Sequence, residues 1–183
     1  SEERFDREWN TFFLNHPQII GLSGDLPTPN SFVTTEDFGV PILAVRDDTG
    51  EFKAYANVCP HRGVTIESSK KGEKSKFSCP FHGWTFNNEG NLIGYPKKEQ
   101  FGEIDKDCYG LKELPAIEKF GFLWVHPKRD GNIDLDELLG KELQAEFDAW
   151  NFQSLVFANE DLYFTDMNWK LAIDTFGETY HFS

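Results

Sequence analysis

Two short stretches, "CPHRG" at 59–63 and "CPFHG" at 79–83, constrain this chain more than any other feature. Each opens with Cys-Pro and closes with a histidine and a glycine. Proline is pre-set for the first corner of a turn, and glycine permits the positive φ with which a tight loop turns back. Each stretch therefore presents one thiol and one imidazole from a fixed turn. Cys59 and His61 are two residues apart, Cys79 and His82 three, and seventeen residues lie between His61 and Cys79, enough to run through a hairpin and return. The fold has to bring two such turns side by side.

Four donors of this kind suit one zinc ion or an iron–sulfur cluster. Zinc knuckles commonly place two cysteines in one turn and two histidines in another, whereas here each turn is mixed. In a [2Fe–2S] centre of the Rieske kind, one iron takes two cysteines and the other two histidines. Two mixed loops lying together supply that arrangement, thiolates meeting on one iron and imidazoles on the other. Exchanging two thiolates for neutral imidazoles also removes negative charge, so such a cluster accepts an electron more readily than an all-cysteine one. A zinc-stabilised module, or cysteines and histidines that merely sit in turns, are the competing readings.

The rest of the chain reads as a small β domain between helical segments. Phe5, Trp9, Phe12 and Phe13 recur at helical spacing within Glu2 to about Asn15, and Pro17 stops that helix. From about Ser31 the texture changes to short strands. "SFVTTE", "VPILAVR" and "EFKAYANV" are β-rich, and "DDTG" predicts a hairpin turn between the last two. Further strands are expected at "KFSC", "WTFNNEGNLIGYP" (turning at Asn88 to Gly90), "LKELP" and "FGFLWVHP". After the linker "PKRDGN", Leu135, Leu138, Leu139, Leu143, Phe147 and Trp150 mark a helix capped at or near Asp134. "SLVFANEDLYFTD" predicts a strand, and "NWKLAIDTFGETYHF" a final helix with Asn168 as its cap. The expected class is mostly β with an α+β extension: a helical segment over 1–28, an antiparallel β domain over 29–128, and the start of a further unit over 129–183.

With 183 residues, 39% of them hydrophobic, the chain is long enough for one good core or two small ones. Eighteen Phe and five Trp predict that the core is aromatic-rich. A formal net charge of −13 argues against nucleic acid or an anionic membrane as the main partner. No stretch approaches the roughly 20 apolar residues of a membrane span. The opening "SEERFDREWNTFFLNHP" lacks the apolar run of a signal peptide, so a cytoplasmic protein is expected. The odd number of cysteines, three, then favours metal or catalytic use over a disulfide framework.

"CPHRG…CPFHGWTF" resembles the Rieske motif in the large (α) subunits of Rieske non-haem iron oxygenases, the aromatic-ring-hydroxylating dioxygenase family. The stretch from "HPQIIGLSGDLP" to "CPHRG" is similar to the approach to that family's cluster domain, and "NWKLAIDTFGETYHF" to the opening of its helix-grip-like catalytic domain. The resemblance implies a [2Fe–2S] cluster on Cys59, His61, Cys79 and His82, reduced by a ferredoxin or flavin reductase. It implies a mononuclear Fe(II) site, held by two His and one carboxylate, where O₂ is used to hydroxylate or demethylate a small organic substrate. His181 matches the first ligand of that iron. Glu178 takes the place of the acid that bridges the cluster to the iron across a ring of three subunits, and Asp174 stands near a further position of that motif. The remaining iron ligands of the family lie beyond Ser183, so this chain is expected to carry the cluster without a complete iron site. A stand-alone Rieske-type ferredoxin is the alternative, against which the length of 129–183 counts. Glu rather than Asp at 178 points weakly toward quaternary-ammonium substrates.

Respiratory Rieske proteins carry an extra cysteine in each loop. Here those positions resemble Val64 and Phe81, which predicts the lower-potential type of cluster. "SSKKGEKSK" at 68–76 reads as a solvated loop or as a basic patch for an acidic partner. Cys108 reads as a plain thiol, and His16 and His126, each before a proline, as turn or strand-end residues. Arg62 is placed to face a partner or a surface carboxylate, and Trp84 to pack against the loop and shield it from water.

Overall fold

The computed structural model describes residues 1–101, 104–155, 158–159 and 161–178. The chain opens with α1 (Glu2–Glu8), prolonged by a π-helical turn, Trp9–Phe13. Phe5, Trp9 and Phe13, four apart, stack in series with ring centroids 5.8 and 4.8 Å apart. The Gln18 side-chain amide donates to the carbonyls of Phe12, Phe13 and His16, which ends the helical segment.

Eight short strands follow: β1 (Gln18–Leu22), β2 (Ser31–Thr35), β3 (Ile42–Arg46), β4 (Phe52–Ala56), β5 (Lys71–Glu73), β6 (Lys76–Ser78), β7 (Thr85–Asn87) and β8 (Leu92–Gly94). A helical turn, α2 (Lys98–Phe101), precedes β9 (Glu113–Leu114), β10 (Ala116–Lys119) and β11 (Phe122–Val125). Two longer helices complete the described chain, α3 (Leu135–Trp150) and α4 (Trp169–Gly177). The strands form three antiparallel sheets: a central one in the order β5-β2-β3-β4-β9, and two smaller ones, β1-β11-β10 and β6-β7-β8.

The period-two geometry of a strand explains the layering. On β3, Leu43 and Val45 face one core, and Ile42 and Ala44 face another. The first core adds Phe32, Tyr55, Phe77, Phe86 and Leu92, so the β6-β7-β8 sheet covers that face. The second adds Phe52, Ala54, Leu123 and Val125, so β11 and its sheet cover the other. Both faces of β3 are buried, which is why "ILAV" is continuously apolar instead of alternating. Burying each such aliphatic side chain contributes roughly 1.5–3 kcal/mol.

The predicted β3–β4 hairpin is present and turns on Asp47, which is 2% exposed. One carboxylate oxygen accepts from the Thr49 N–H, the Thr49 hydroxyl and the Glu51 N–H at 2.7–2.9 Å, and the other faces Lys53 Nζ at 3.1 Å. The hairpin β7–β8 also forms where expected. Asp134 caps α3 by accepting from the N–H groups of Asp136 and Glu137, and Asn168 caps α4 through the Lys170 N–H. α3 is interrupted at Gly140 (φ +65) and lies against β11 through Phe122 and Phe147, 5.3 Å between centroids. α4 meets the N-terminal helical segment: Trp169 sits edge-on to Phe13 at 5.4 Å, and Lys170 Nζ binds the Glu8 carboxylate at 2.5 Å.

Four expectations change. Within the segment 1–28 the helix stops at Phe13 and only a 3₁₀ turn, Ser23–Asp25, follows, because Gln18–Leu22 pairs with β11; the sheets thus begin before residue 29. β10 was not predicted, since "AIEK" carries little strand signal and owes its conformation to β11. The basic run contains an edge strand, β5, paired with β2. The strand expected in "SLVFANEDLYFTD" is not found in the described part of that stretch. Leu162, Tyr163 and Phe164 there are 62, 84 and 94% exposed and meet no pairing strand among the described residues, and strand propensity without a neighbouring edge does not make a sheet.

Asp47 makes the stability of the fold pH-dependent. Burial alone would raise its pKa, but the hydrogen bonds from Thr49, Glu51 and Lys53 outweigh it and bring the carboxyl down to about 2. A depressed folded-state pKa stabilises the protein above the unfolded value, near 3.8, and this contribution is lost as pH falls from there toward 2. Urea titrations at pH 7 and pH 2 are expected to show Asp47→Asn costing roughly 2 kcal/mol more at the higher pH.

Candidate metal centre

The two Cys/His loops are the same turn built twice. The Gly63 N–H donates to the Cys59 carbonyl at 2.9 Å and the Cys59 N–H to the Val64 carbonyl at 2.8 Å. In the second loop Gly83 donates to Cys79 at 2.9 Å and Cys79 to Trp84 at 2.8 Å. Gly63 and Gly83 have φ of +74° and +70°, the left-handed region that the reversal needs. An antiparallel pair closes each loop, Val58 with Thr65 and Ser78 with Thr85.

Each turn has its own anchor. Asn57, 1% exposed, donates through Nδ2 to the Glu67 carbonyl at 2.8 Å and accepts from the Glu67 N–H at 3.1 Å, tying together the two ends of the first loop. The Glu67 carboxylate accepts from the Ser69 N–H and pairs with Lys74. The second loop is anchored by Phe77 and Phe86, directly paired on β6 and β7 and both in the first core.

The four donors are brought together in like pairs. Cys59 and Cys79 are 2 and 3% exposed, lie in the same core cluster, and their thiols are close enough to influence each other. Burial pushes the Cys59 thiol up, the backbone N–H groups of His61 and Arg62 pull it down, and the adjoining Cys79 pushes it up again. The rings of His61 and His82 stand 4.8 Å apart at 66°. Burial, and then the neighbouring His82 and Arg62, hold the His61 imidazole below its usual range and so favour its neutral, ligating form.

His61 Nδ1 is buried and has no hydrogen-bond partner. An orphaned polar atom of this kind costs about 1–3 kcal/mol unless something binds it. Two buried sulfurs on one side and an imidazole pair with an unspent nitrogen on the other fit a two-iron cluster with unlike ends. A single ion needs its donors around one point, and no three His, Cys, Asp or Glu side chains among the described residues gather that way.

Asp174 is exposed on α4, and Glu178 is the exposed C-cap of that helix. His181 lies outside the described residues. The exposed Cys108 thiol bonds the Asp105 carboxylate at 3.4 Å. His16 and the buried His126 line an open cleft of about 660 Å³ that none of the loop donors lines. Arg62 is exposed. Trp84 is 2% exposed and stacks flat on His61. Sequence reasoning missed Asn57 and the rings of Tyr95, Phe101 and Tyr109 around Trp84, because an isolated Asn and scattered aromatics have no local signature.

Paired mixed turns on layered antiparallel sheets define an iron–sulfur protein of the Rieske class. The sequence pattern of the Rieske [2Fe-2S] domain matches residues 16–117, and the chain belongs to that family. Toluate 1,2-dioxygenase subunit alpha of Pseudomonas putida is 30% identical over 187 aligned residues, covering 98% of this chain and 41% of that protein. The carnitine monooxygenase oxygenase subunit of Acinetobacter baumannii is 28% identical, over 99% of this chain and 49% of its own length. Among solved structures, the quaternary ammonium Rieske monooxygenase CntA in complex with L-carnitine superposes with a TM-score of 0.88 at 27% identity, over 99% of this chain and 51% of that one. Naphthalene 1,2-dioxygenase with indole bound gives 0.68 at 31% identity, over 74% and 31%. These relatives are Rieske oxygenase α subunits, and this chain spans about half their length or less. No helix among the described residues is long and apolar enough to cross a membrane.

Asn57→Ala removes the partners of two buried backbone groups, the N–H and the carbonyl of Glu67. It is expected to destabilise the metal-free protein by about 2–3 kcal/mol in a denaturant titration, and Asn57→Asp to recover part of the loss by still accepting from the Glu67 N–H.

Proposed function

We propose that this chain is the cluster-bearing part of a Rieske oxygenase, with Cys59 and Cys79 on one iron of a [2Fe–2S] cluster and His61 and His82 on the other. The cluster supplies one-electron transfer at a potential above that of all-cysteine clusters. The observation that carries the reading is the convergence of two like turns, sulfur to sulfur and imidazole to imidazole, with His61 Nδ1 buried and unpartnered. The backbone N–H groups of His61 and Arg62 lie on the Cys59 sulfur side and favour added negative charge there. The buried cysteines keep water from the sulfur end, while His82 is exposed and gives electrons a short way out.

The wider activity follows from the same reading. A ferredoxin or flavin reductase reduces the cluster, and electrons continue to a mononuclear Fe(II) for O₂-dependent hydroxylation or demethylation of a small organic substrate. His181 is the first ligand of that iron, and Glu178 the acid through which His82 of a neighbouring subunit is coupled to it in a trimer. Asp174 supports this end of α4. The catalytic unit begins at about residue 129. Glu at 178 favours a quaternary ammonium substrate over an aromatic ring.

Purified protein is expected to be red-brown, with about two irons and two acid-labile sulfides per chain. Cys59→Ser should bleach it and Cys108→Ser should leave the colour unchanged. Colourless wild-type protein with stoichiometric zinc and no sulfide would overturn the reading.

A further inference from the structure

We propose that Trp84 is a positioning residue for His61: the indole of the second loop reaches across to fix the plane of the first loop's imidazole, so that the two histidines are held unequally. The inference rests on the ligand assignment above and goes beyond it.

The two turns match residue for residue, with Val64 in the place of Trp84 and Phe81 in the place of His61. Like turns with like side chains would treat their histidines alike, and these do not. The rings of His61 and Trp84 are parallel (0°) with centroids 4.8 Å apart, an offset stack between loops. Val64, at the matching position of the other loop, has no flat face to offer His82. That ring instead meets Phe81 of its own loop at 3.8 Å and 31°, and Phe81 is 61% exposed.

Trp84 is held from behind. It is 2% exposed, with Phe101 and Tyr109 edge-on and Tyr95 tilted at 5.5–5.9 Å, and Phe101 also stands edge-on to His61 at 6.0 Å. Its own carbonyl receives the Cys79 N–H, so the side chain that braces one histidine grows from the backbone that closes the other loop. The restraint matters because the second torsion of a histidine side chain is broad and does not fix the ring by itself. Ring orientation sets how an imidazole nitrogen meets a metal. Nδ1 of His61 is buried and unpartnered, and of the rings that meet this imidazole (His82, Phe101 and Trp84) only the indole lies parallel to it.

The test uses the cluster-loaded protein, reduced, as wild type, Trp84→Phe and Trp84→Leu, and pulsed EPR to read the ligand nitrogen couplings. Wild type is expected to show two distinct couplings. Trp84→Leu should shift or broaden one and leave the other in place, while Trp84→Phe, which keeps a flat ring, should match wild type. Loss of iron to a chelator should be about 3- to 10-fold faster in Trp84→Leu, the scale of one lost aromatic stack, and not in Trp84→Phe. Both couplings unchanged in Trp84→Leu, or both moved alike, overturns the proposal. If Trp84→Leu does not retain iron, proton NMR of the metal-free proteins decides. The indole should shift the His61 ring protons upfield in wild type, and Trp84→Leu should abolish that shift without moving His82; equal changes at both rings overturn the proposal. A wild-type cluster with no nitrogen coupling sinks the ligand assignment itself, a result distinct from two couplings that ignore Trp84.

Discussion

The backbone closure of two like turns is the constraint on which the rest of the structure depends. Each turn spends its glycine on the reversal and its first N–H on the residue after that glycine, which leaves the cysteine and histidine side chains free to face the other loop. Neither turn can bring donors together alone. The first follows β4 in the central sheet and the second follows β6 in a covering sheet, so the site exists only because those two layers pack. Cys59, Cys79 and Trp84 belong to the same core cluster as Leu43, Val45, Phe77 and Phe86. The hydrophobic packing that holds the layers therefore also fixes the sulfur pair.

This arrangement accounts for an unusual distribution of polar groups. Two buried polar side chains spend their hydrogen bonds largely on backbone at the two ends of β4: Asn57 on the chain leaving the first loop, Asp47 on the turn that aligns β3 with β4. Each is fully matched, as a polar group in a low-dielectric interior must be. His61 Nδ1, like Asn88 Oδ1 and Trp169 Nε1, is not matched, and of these it alone belongs to a Cys/His loop, on a ring in contact with His82 and Trp84. The two cores also keep functions apart. The core beneath β6-β7-β8 supports the loops, the one beneath β11 joins the central sheet to the β1-β11-β10 sheet, and Phe122 of β11, outside both cores, meets α3.

What the sequence made legible was local. The Cys-Pro and His-Gly punctuation, the "DDTG" and "NNEG" turns and the Asp134 and Asn168 caps are signals carried within a few residues, and each appears where expected. What was illegible depends on distant partners. β1 and β10 are strands because β11 lies between them, and β5 is a strand despite its lysines because β2 offers an edge. The run around Leu162 to Phe164 errs in the other direction, with the composition of a strand and no edge to join among the described residues. At the site, the donor types and spacing were readable. The pairing of Trp84 with His61, and the ring of Tyr95, Phe101 and Tyr109 behind it, follow from tertiary packing that no short window encodes.

The central claim is that the two ends of the metal site differ, two sulfurs facing one way and two imidazoles the other. Mössbauer spectroscopy of ⁵⁷Fe-enriched protein in the oxidised state tests it most directly. The account predicts two quadrupole doublets of equal area, one for each unlike iron, with reduction confined to the histidine-bound one. A single doublet for two equivalent irons, or only one iron per chain, would contradict it.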